Sequence, residues 1–334
     1  MKKILFVGIT AILISCQTPA VKESVSEVIV QGEAQGTTYT IKYIAEEYNG
    51  IKEEVDSLLQ AVDQSMSTYL PSSDISRLNE GDTIEMDQLF QEVYIMSQKV
   101  NLATEGAFDP TIGPLIKAWG FDYANPQKMD SLLVRELLAN SGFAQFEQLE
   151  HKLWRKNDQA RINFNAVAQG YSVDIMAQLL DQKGIQQYYV ELGGELKVKG
   201  KNKYGDWWII GIDQPEGENL ERKLAQRVSL KNSAMATSGN YRKFYEIDGK
   251  RYSHTLNPKT GYPAENNLLS ATVITSDCGM ADALATSFMV MGGEKSIAYL
   301  KQHPEIKAHL ILAKEDGTYE SFTTENMKAN LLED

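Results

Sequence analysis

An α+β fold is what this sequence predicts, and three observations carry the prediction. Apolar residues recur at helical spacing through 51–66 and again through 89–100. Beyond residue 143 the character shifts to short β-rich runs joined by turns such as Asp248-Gly249 and Asp316-Gly317, which suit antiparallel hairpins. Two helical stretches, one starting near Ala166 and one near Met280, interrupt those hairpins, so helices and antiparallel strands belong to one mixed unit.

In chain order, Val28 to Ile44 holds two β-rich runs broken at Gln35-Gly36. Ile51, Val55, Leu58, Leu59, Val62 and Met66 then mark a first helix, and Leu89, Val93, Met96 and Val100 a second. "SLLVRELLANSGF" reads as a third, closed by Gly142. Strands follow in "HKLWRKNDQARINF" with an Asn157-Asp158 turn, "YYVEL", "ELKVKG", "WWIIGI", "KFYEIDGKRYSH", "SATVIT" and "HLILAKEDGTYESF". With no internal repeat, low-complexity tract or second linker, residues 28–334 read as a single catalytic unit.

A chain of 334 residues, 43% of them hydrophobic, can bury a sizeable core. Its formal net charge of -12 argues against a nucleic-acid partner, because phosphate neutralisation needs clustered Lys and Arg. Any anionic ligand must therefore be recruited locally.

The first 15 residues read as a secretory address: Lys2 and Lys3 precede an apolar run, Ile4 to Ile14, that is too short to span a bilayer. Leu13-Ile14-Ser15-Cys16 resembles a bacterial lipobox, with cleavage before Cys16 leaving a thiol to be lipidated; the plainer reading is an ordinary signal peptide with a chance cysteine. Residues 16–27 lack apolar periodicity and read as a tether. The expected location is extracytoplasmic, on the periplasmic side, lipid-anchored to a bacterial membrane. With Cys16 acylated, Cys278 has no intrachain partner and reads as a buried thiol.

Four stretches resist explanation as scaffold. "QGTTYT" (35–40) reads as a strand bulge or as a close backbone approach to a ligand. "GAFDPTIGPLIKAWGF" (106–121) reads as an irregular loop that either cradles an anion with its amides or plugs the core with Phe108, Leu115 and Trp119. "NFNAVAQGYSVD" (163–174) places Ala166, Ala168 and Gly170 where a strand gives way to a helix, which suits phosphate, metal or tight packing. In "DCGMADALATSFMVMG" (277–292), Asp282 and Thr286 are four apart and share a helical face that is otherwise apolar. A carboxylate there is costly to bury unless paired, and an oxygen one turn away suggests a hard cation such as magnesium; a cap and a back-bonded threonine are the alternative.

One of only four histidines, His254, precedes the turn "NPKTG", where an imidazole at a strand end suits either a proton acceptor or a turn hydrogen bond.

In combination, "GTTY", "MSTYLPSSDISRLN", "GAFDPTIGPL", "NAVAQGYSVD", "ELGGELKVKG", "TSGNYRKFYEIDGKRYSHTLNPKTGYP" and "ADALATSFMVMG" resemble the ApbE family of FAD:protein FMN transferases. The resemblance spans about residue 30 to the C-terminal hairpin and implies a T-fold-like unit that moves the FMN half of FAD onto a Thr or Ser hydroxyl of a target protein, releasing AMP. By position it implies magnesium ligands at the Ala166 carbonyl, Asp282 and Thr286, and a catalytic base at His254. It implies FAD contacts at Gln35, Tyr69, Ala107, Phe108, Asp109, Gln169 and the backbone near Leu256. It also implies acceptors among flavin-bearing subunits of sodium-pumping NADH:quinone reductase or Rnf-type complexes, at a motif resembling D-x-x-[S/T]-G-A-[S/T].

The sequence departs from the usual pattern. Gln35 stands where methionine is usual, Gln169 where lysine is, and Asn163 and Asn257 where aspartate is. Losing the lysine removes a positive charge from an anion site. An FAD pyrophosphatase that uses water as acceptor, or a lipid-anchored flavin binder without chemistry, would use many of the same residues.

Overall fold

The computed structural model describes residues 26–45, 50–121, 126–215, 223–240, 244–247, 250–253 and 255–332. The Cys16 lipobox, the 1–15 signal, most of the tether, the Asp248-Gly249 turn and His254 lie outside the described residues. The first strand begins at Ser26, two residues before the boundary read from the sequence.

The chain runs β1 (Ser26–Ala34), β2 (Thr37–Ala45), α1 (Ile51–Met66), α2 (Asp74–Glu80), β3 (Ile84–Glu85), α3 (Gln88–Ala103), α4 (Gly113–Trp119), α5 (Ser131–Ala139), β4 (Phe146–Leu149), β5 (Lys152–Arg155) and α6 (Ala168–Gln182). It continues through β6 (Tyr188–Leu192), β7 (Glu195–Lys199), β8 (Trp208–Asp213), β9 (Leu224–Leu230), β10 (Ser233–Gly239), β11 (Phe244–Ile247), β12 (Lys250–Ser253) and β13 (Leu268–Thr275). It ends with α7 (Cys278–Gln302), β14 (Lys307–Ala313), β15 (Tyr319–Thr323), α8 (Glu325–Lys328) and β16 (Leu331–Leu332).

Eight strands form one sheet in the order β1-β2-β6-β7-β10-β13-β14-β15, and every neighbouring pair is antiparallel. Strand alternation sends Ala234, Ala236, Ala271 and Val273 toward the helices, where α6 and α7 bury Met176, Ala177, Ala281, Leu284 and Phe288. The opposite parity sends Leu196, Val198, Met235 and Ile274 to the other face, where Trp208, Ile212, Val228 and Leu230 of a small β16-β9-β8 sheet pack on them. The α+β fold is thus observed, built as a sheet sandwiched between a helical layer and a second sheet.

The break at Gln35-Gly36 is a two-residue hairpin turn and not a bulge: φ is 51° at Gln35 and 72° at Gly36, and β1 and β2 stay in register from end to end. Three other readings are corrected. Residues 151–164 do not form a hairpin about Asn157-Asp158; β5 pairs back onto β4, and the Asn157 side chain accepts from the amides of Gln159 and Ala160, which spends the loop's donors locally. Residues 113–119, read as irregular, are helical because Pro114 sits in the first turn, where its missing N–H costs nothing, and Gly120 closes the helix at φ 78°. The helix expected to close at Gly142, α5, ends at Ala139, three residues earlier, with Asn140 as its C-cap. Inside α7, Gly292 (φ 77°, ψ 173°) breaks the helix, and the Asn266 side chain donates to Met289 O at 2.9 Å, satisfying a carbonyl that the break frees.

Candidate active site

Where the large sheet, the start of α6 and the first half of α7 meet, a cleft of about 1610 Å³ opens. Tyr69, Ala107, Phe108, Asp109, Ala166, Gln169, Leu256, Asp282 and Thr286 all line it, which brings together nine of the residues singled out from scattered parts of the sequence.

Asp282 and Thr286 project from α7 as their i, i+4 spacing requires. Asp282 is 7% exposed, and its one hydrogen bond among the described residues comes from the Gly170 amide, 3.3 Å from Oδ2. Burial pushes its carboxyl up to about 7, with the Gly170 amide pulling the other way. A buried carboxylate with a single amide for company is held at a cost unless a cation joins it. Thr286 Oγ1 lies 3.2 Å from Ser238 Oγ on β10, so a second hydroxyl faces the same end of the cleft. Asp282, Thr286 and Ser238 offer only oxygen, and Ala166, which lines the same cleft, has a carbonyl to add; a set of this chemistry fits a hard cation such as magnesium. Asp282 does cap a neighbouring element, since Gly170 is the third residue of α6 and its amide is one of that helix's free first-turn donors; the second carboxylate oxygen has no such partner among the described residues, and Thr286 Oγ1 meets Ser238 rather than its own helix.

The loop before α6 is tied down by its own side chains. The Asn163 amide donates to Pro110 O at 2.8 Å, Asn163 Oδ1 accepts from the Asn165 amide at 2.8 Å, and Asn165 Nδ2 reaches Tyr69 Oη at 3.2 Å. Tyr69 is 57% exposed, so its ring is presented to the cleft and not packed in the core. The N-cap residue Val167 makes no side-chain cap; of the first amides of α6, that of Ala168 donates to Phe164 O at 2.8 Å and that of Gly170 to Asp282, and Gln169 between them lines the cleft.

Ala107, Phe108 and Asp109 are held from both sides. Asn101 Nδ2 donates to Phe108 O at 2.7 Å, and the amide of Thr111 donates to Asp109 Oδ1 at 2.8 Å. Burial pushes the Asp109 carboxyl up, and Thr111 opposes the shift. Leu256 sits on a locked turn: the Gly261 amide donates to Asn257 O at 2.8 Å, Asn257 Oδ1 accepts from the Lys259 amide at 2.9 Å, and Trp119 Nε1 donates to Gly261 O at 2.9 Å.

Gln35 stands apart from the cleft wall. Its Nε2 donates to Ser172 Oγ at 2.7 Å, Ser172 Oγ in turn donates to Ala168 O at 2.8 Å, and Gln35 Oε1 is buried with no hydrogen-bond partner. The β1–β2 turn therefore braces the first turn of α6 from outside.

Sequence reasoning missed the far wall. All six residues of β8, with Lys42, Tyr189 and Glu191 of the large sheet, line the same cleft. "WWIIGI" shows no chemistry-bearing side chain, so nothing in the string marks it; the Asn163 and Asn165 contributions were legible in a stretch already singled out.

Fold and cleft define a mixed α+β protein with an acid-and-hydroxyl pocket at the foot of a large cavity. The chain belongs to the ApbE family: a model of that family matches residues 35–310. It is 35% identical over 318 residues to an FAD:protein FMN transferase of Vibrio cholerae, covering 92% of each chain, and 32% identical over 332 residues to one of Haemophilus influenzae, covering 95% of each. Among solved structures, it is similar to flavin transferase ApbE from Vibrio cholerae (TM-score 0.82, 32% identity, 92% of this chain and 100% of that one). It is likewise similar to the apo form of the Pseudomonas stutzeri flavinyl transferase ApbE (TM-score 0.81, 30% identity, 92% and 97%).

Proposed function

We propose that this protein transfers the FMN half of FAD to a Thr or Ser hydroxyl of a target protein and releases AMP, in a magnesium-dependent reaction. The observation that carries the reading is one cleft lined together by Asp282, Thr286, Ala166, Tyr69, Gln169 and the 107–109 segment, with the buried Asp282 carboxylate held by a single amide.

Tyr69 offers an exposed ring for a flat ring of the substrate, and the N-terminal end of α6 borders the cleft at Gln169, where the positive end of the helix dipole suits its pyrophosphate. Asp282, Thr286 and the Ala166 carbonyl would hold magnesium, which when bound supplies positive charge against the pyrophosphate. The acceptor oxygen forms a bond to the phosphorus next to riboflavin, the bond from that phosphorus to the AMP phosphate oxygen breaks, and the acceptor's proton passes to His254, the base that the family resemblance assigns.

The target lies among extracytoplasmic redox subunits of the sodium-pumping NADH:quinone reductase or Rnf kind. The protein itself is held at a bacterial membrane by lipid on Cys16, a reading supported by the Leu13-Ile14-Ser15-Cys16 string.

Incubation with FAD, magnesium and a candidate acceptor, followed by mass spectrometry of the acceptor, tests the reaction. An acceptor heavier by FMN supports it. Free FMN and AMP with unmodified acceptor would make the protein a pyrophosphatase, and intact FAD would make it a binder.

A further inference from the structure

The helix that carries Asp282 does not cap itself. Asp277 stands at the N-cap of α7, yet its side chain makes no capping bond and instead accepts from Ser276 Oγ at 2.6 Å. The acceptor for the first turn arrives from another helix: the Gly279 amide donates to Asp174 Oδ2, on α6, at 2.9 Å. The other oxygen, Asp174 Oδ1, accepts from Lys197 Nζ of β7 at 2.7 Å, and the two side chains are 14% and 22% exposed. One carboxylate thus ties α7, α6 and the sheet together.

One turn earlier on the same face of α6, Gly170 donates its amide to Asp282 Oδ2. Residues 170 and 174 therefore grip residues 282 and 279 in turn, and the two contacts run along one line where the helices meet. Free amides at a helix start attract a carboxylate both as donors and as the positive end of the helix dipole. Burial pushes the Asp174 carboxyl up, opposed by Lys197 and by the amides of Cys278 and Gly279, so the protein accepts a cost to keep the charge there.

We propose that Asp174 is a positioning residue for the metal end of the cleft: by capping α7 from α6, it fixes how far α7 stands along α6 and so where Asp282 and Thr286 meet the Ala166 carbonyl. This rests on the metal reading given above. Neither Asp174 nor Lys197 lines the cleft, so the effect passes through the helix and not through the ligand.

The test uses the purified protein with Mn²⁺ as probe, its affinity read by electron paramagnetic resonance and the fold by thermal melting, with no flavin transfer required. Asp174→Leu combined with Lys197→Met replaces the pair by apolar side chains, a change that is often neutral or stabilising. Asp174→Asn combined with Lys197→Met removes both charges but keeps an oxygen for the Gly279 amide. The expected result is that the Leu/Met protein melts at or near the parent's temperature yet binds Mn²⁺ about tenfold to a hundredfold more weakly, the loss typical when support of a metal ligand is removed. The Asn/Met protein should bind Mn²⁺ nearly as the parent does. Parent-like Mn²⁺ affinity in the Leu/Met protein overturns the proposal, as does equal weakening in both doubles. A parent that binds no Mn²⁺ overturns the metal reading itself and leaves nothing for Asp174 to position.

Discussion

Gly170 and Asp282 meet where α6 and α7 pack tightly: the Gly170 amide donates to Asp282 Oδ2, and a Cβ at residue 170 would fall 2.5 Å from Cys278 O and 2.9 Å from the Asp282 Cβ. The buried carboxylate lies beside the first turn of α6 because residue 170 has no side chain.

Gly170→Ala should therefore push α7 away from α6, since the atoms in the way are backbone and cannot rotate aside. The expected cost is about 1–3 kcal/mol of stability, as for other overpacked contacts. Thermal melting together with an Mn²⁺ titration checks it; unchanged values in both would show that the helices are free to separate without consequence.

Asp282→Ala should abolish magnesium-dependent transfer while the protein melts at or above the parent's temperature, because a buried carboxylate with a single amide partner is costly to the fold. Parent-like turnover at ordinary magnesium would remove Asp282 from the metal site.

Gln169→Lys should tighten FAD binding. Gln169, the second residue of α6, lines the cleft, so a lysine here would bring a cation into the cavity proposed to hold FAD. Charge-assisted hydrogen bonds contribute about twice what neutral ones do. Flavin fluorescence titration reads the change, and equal or weaker affinity counts against a phosphate contact at this position.

His254→Ala should bind FAD and Mn²⁺ nearly as the parent does, melt within a few degrees of it, and transfer FMN slower by about two orders of magnitude or more. Raising the pH should restore part of the rate. A mutant with normal transfer and a lowered melting temperature would make the histidine a clasp for the "NPKTG" turn.

His309 predicts a pH dependence of stability. It is 5% exposed on β14, its Nδ1 is 2.8 Å from Thr323 Oγ1, and burial holds its pKa below the usual 6.5. Below 6.5 the unfolded chain binds a proton that the folded one resists, so stability present above that pH is lost as the pH falls below it. Melting curves of the parent should slope downward from pH 6.5 toward 5, and His309→Gln should flatten that slope; identical slopes would refute the assignment.

What the sequence determined by itself was the set of parts. Helical and strand periodicity follows from which residues are apolar, and i, i+4 spacing on α7 follows from helix geometry, so the Asp282 and Thr286 pair could be read directly from the string. Tertiary structure decided their company. That Gln35 turns away to Ser172, that β8 lends a wall to the cleft in which only Asp213 is charged, and that the cap of α7 is Asp174, more than a hundred residues earlier in the chain, are facts of strand order and helix packing. Periodicity reports which face of an element is buried but not which partner it meets. Contacts between distant segments are fixed only when the whole sheet and both helices close on one another, and Asp174 caps α7 only in that closed arrangement.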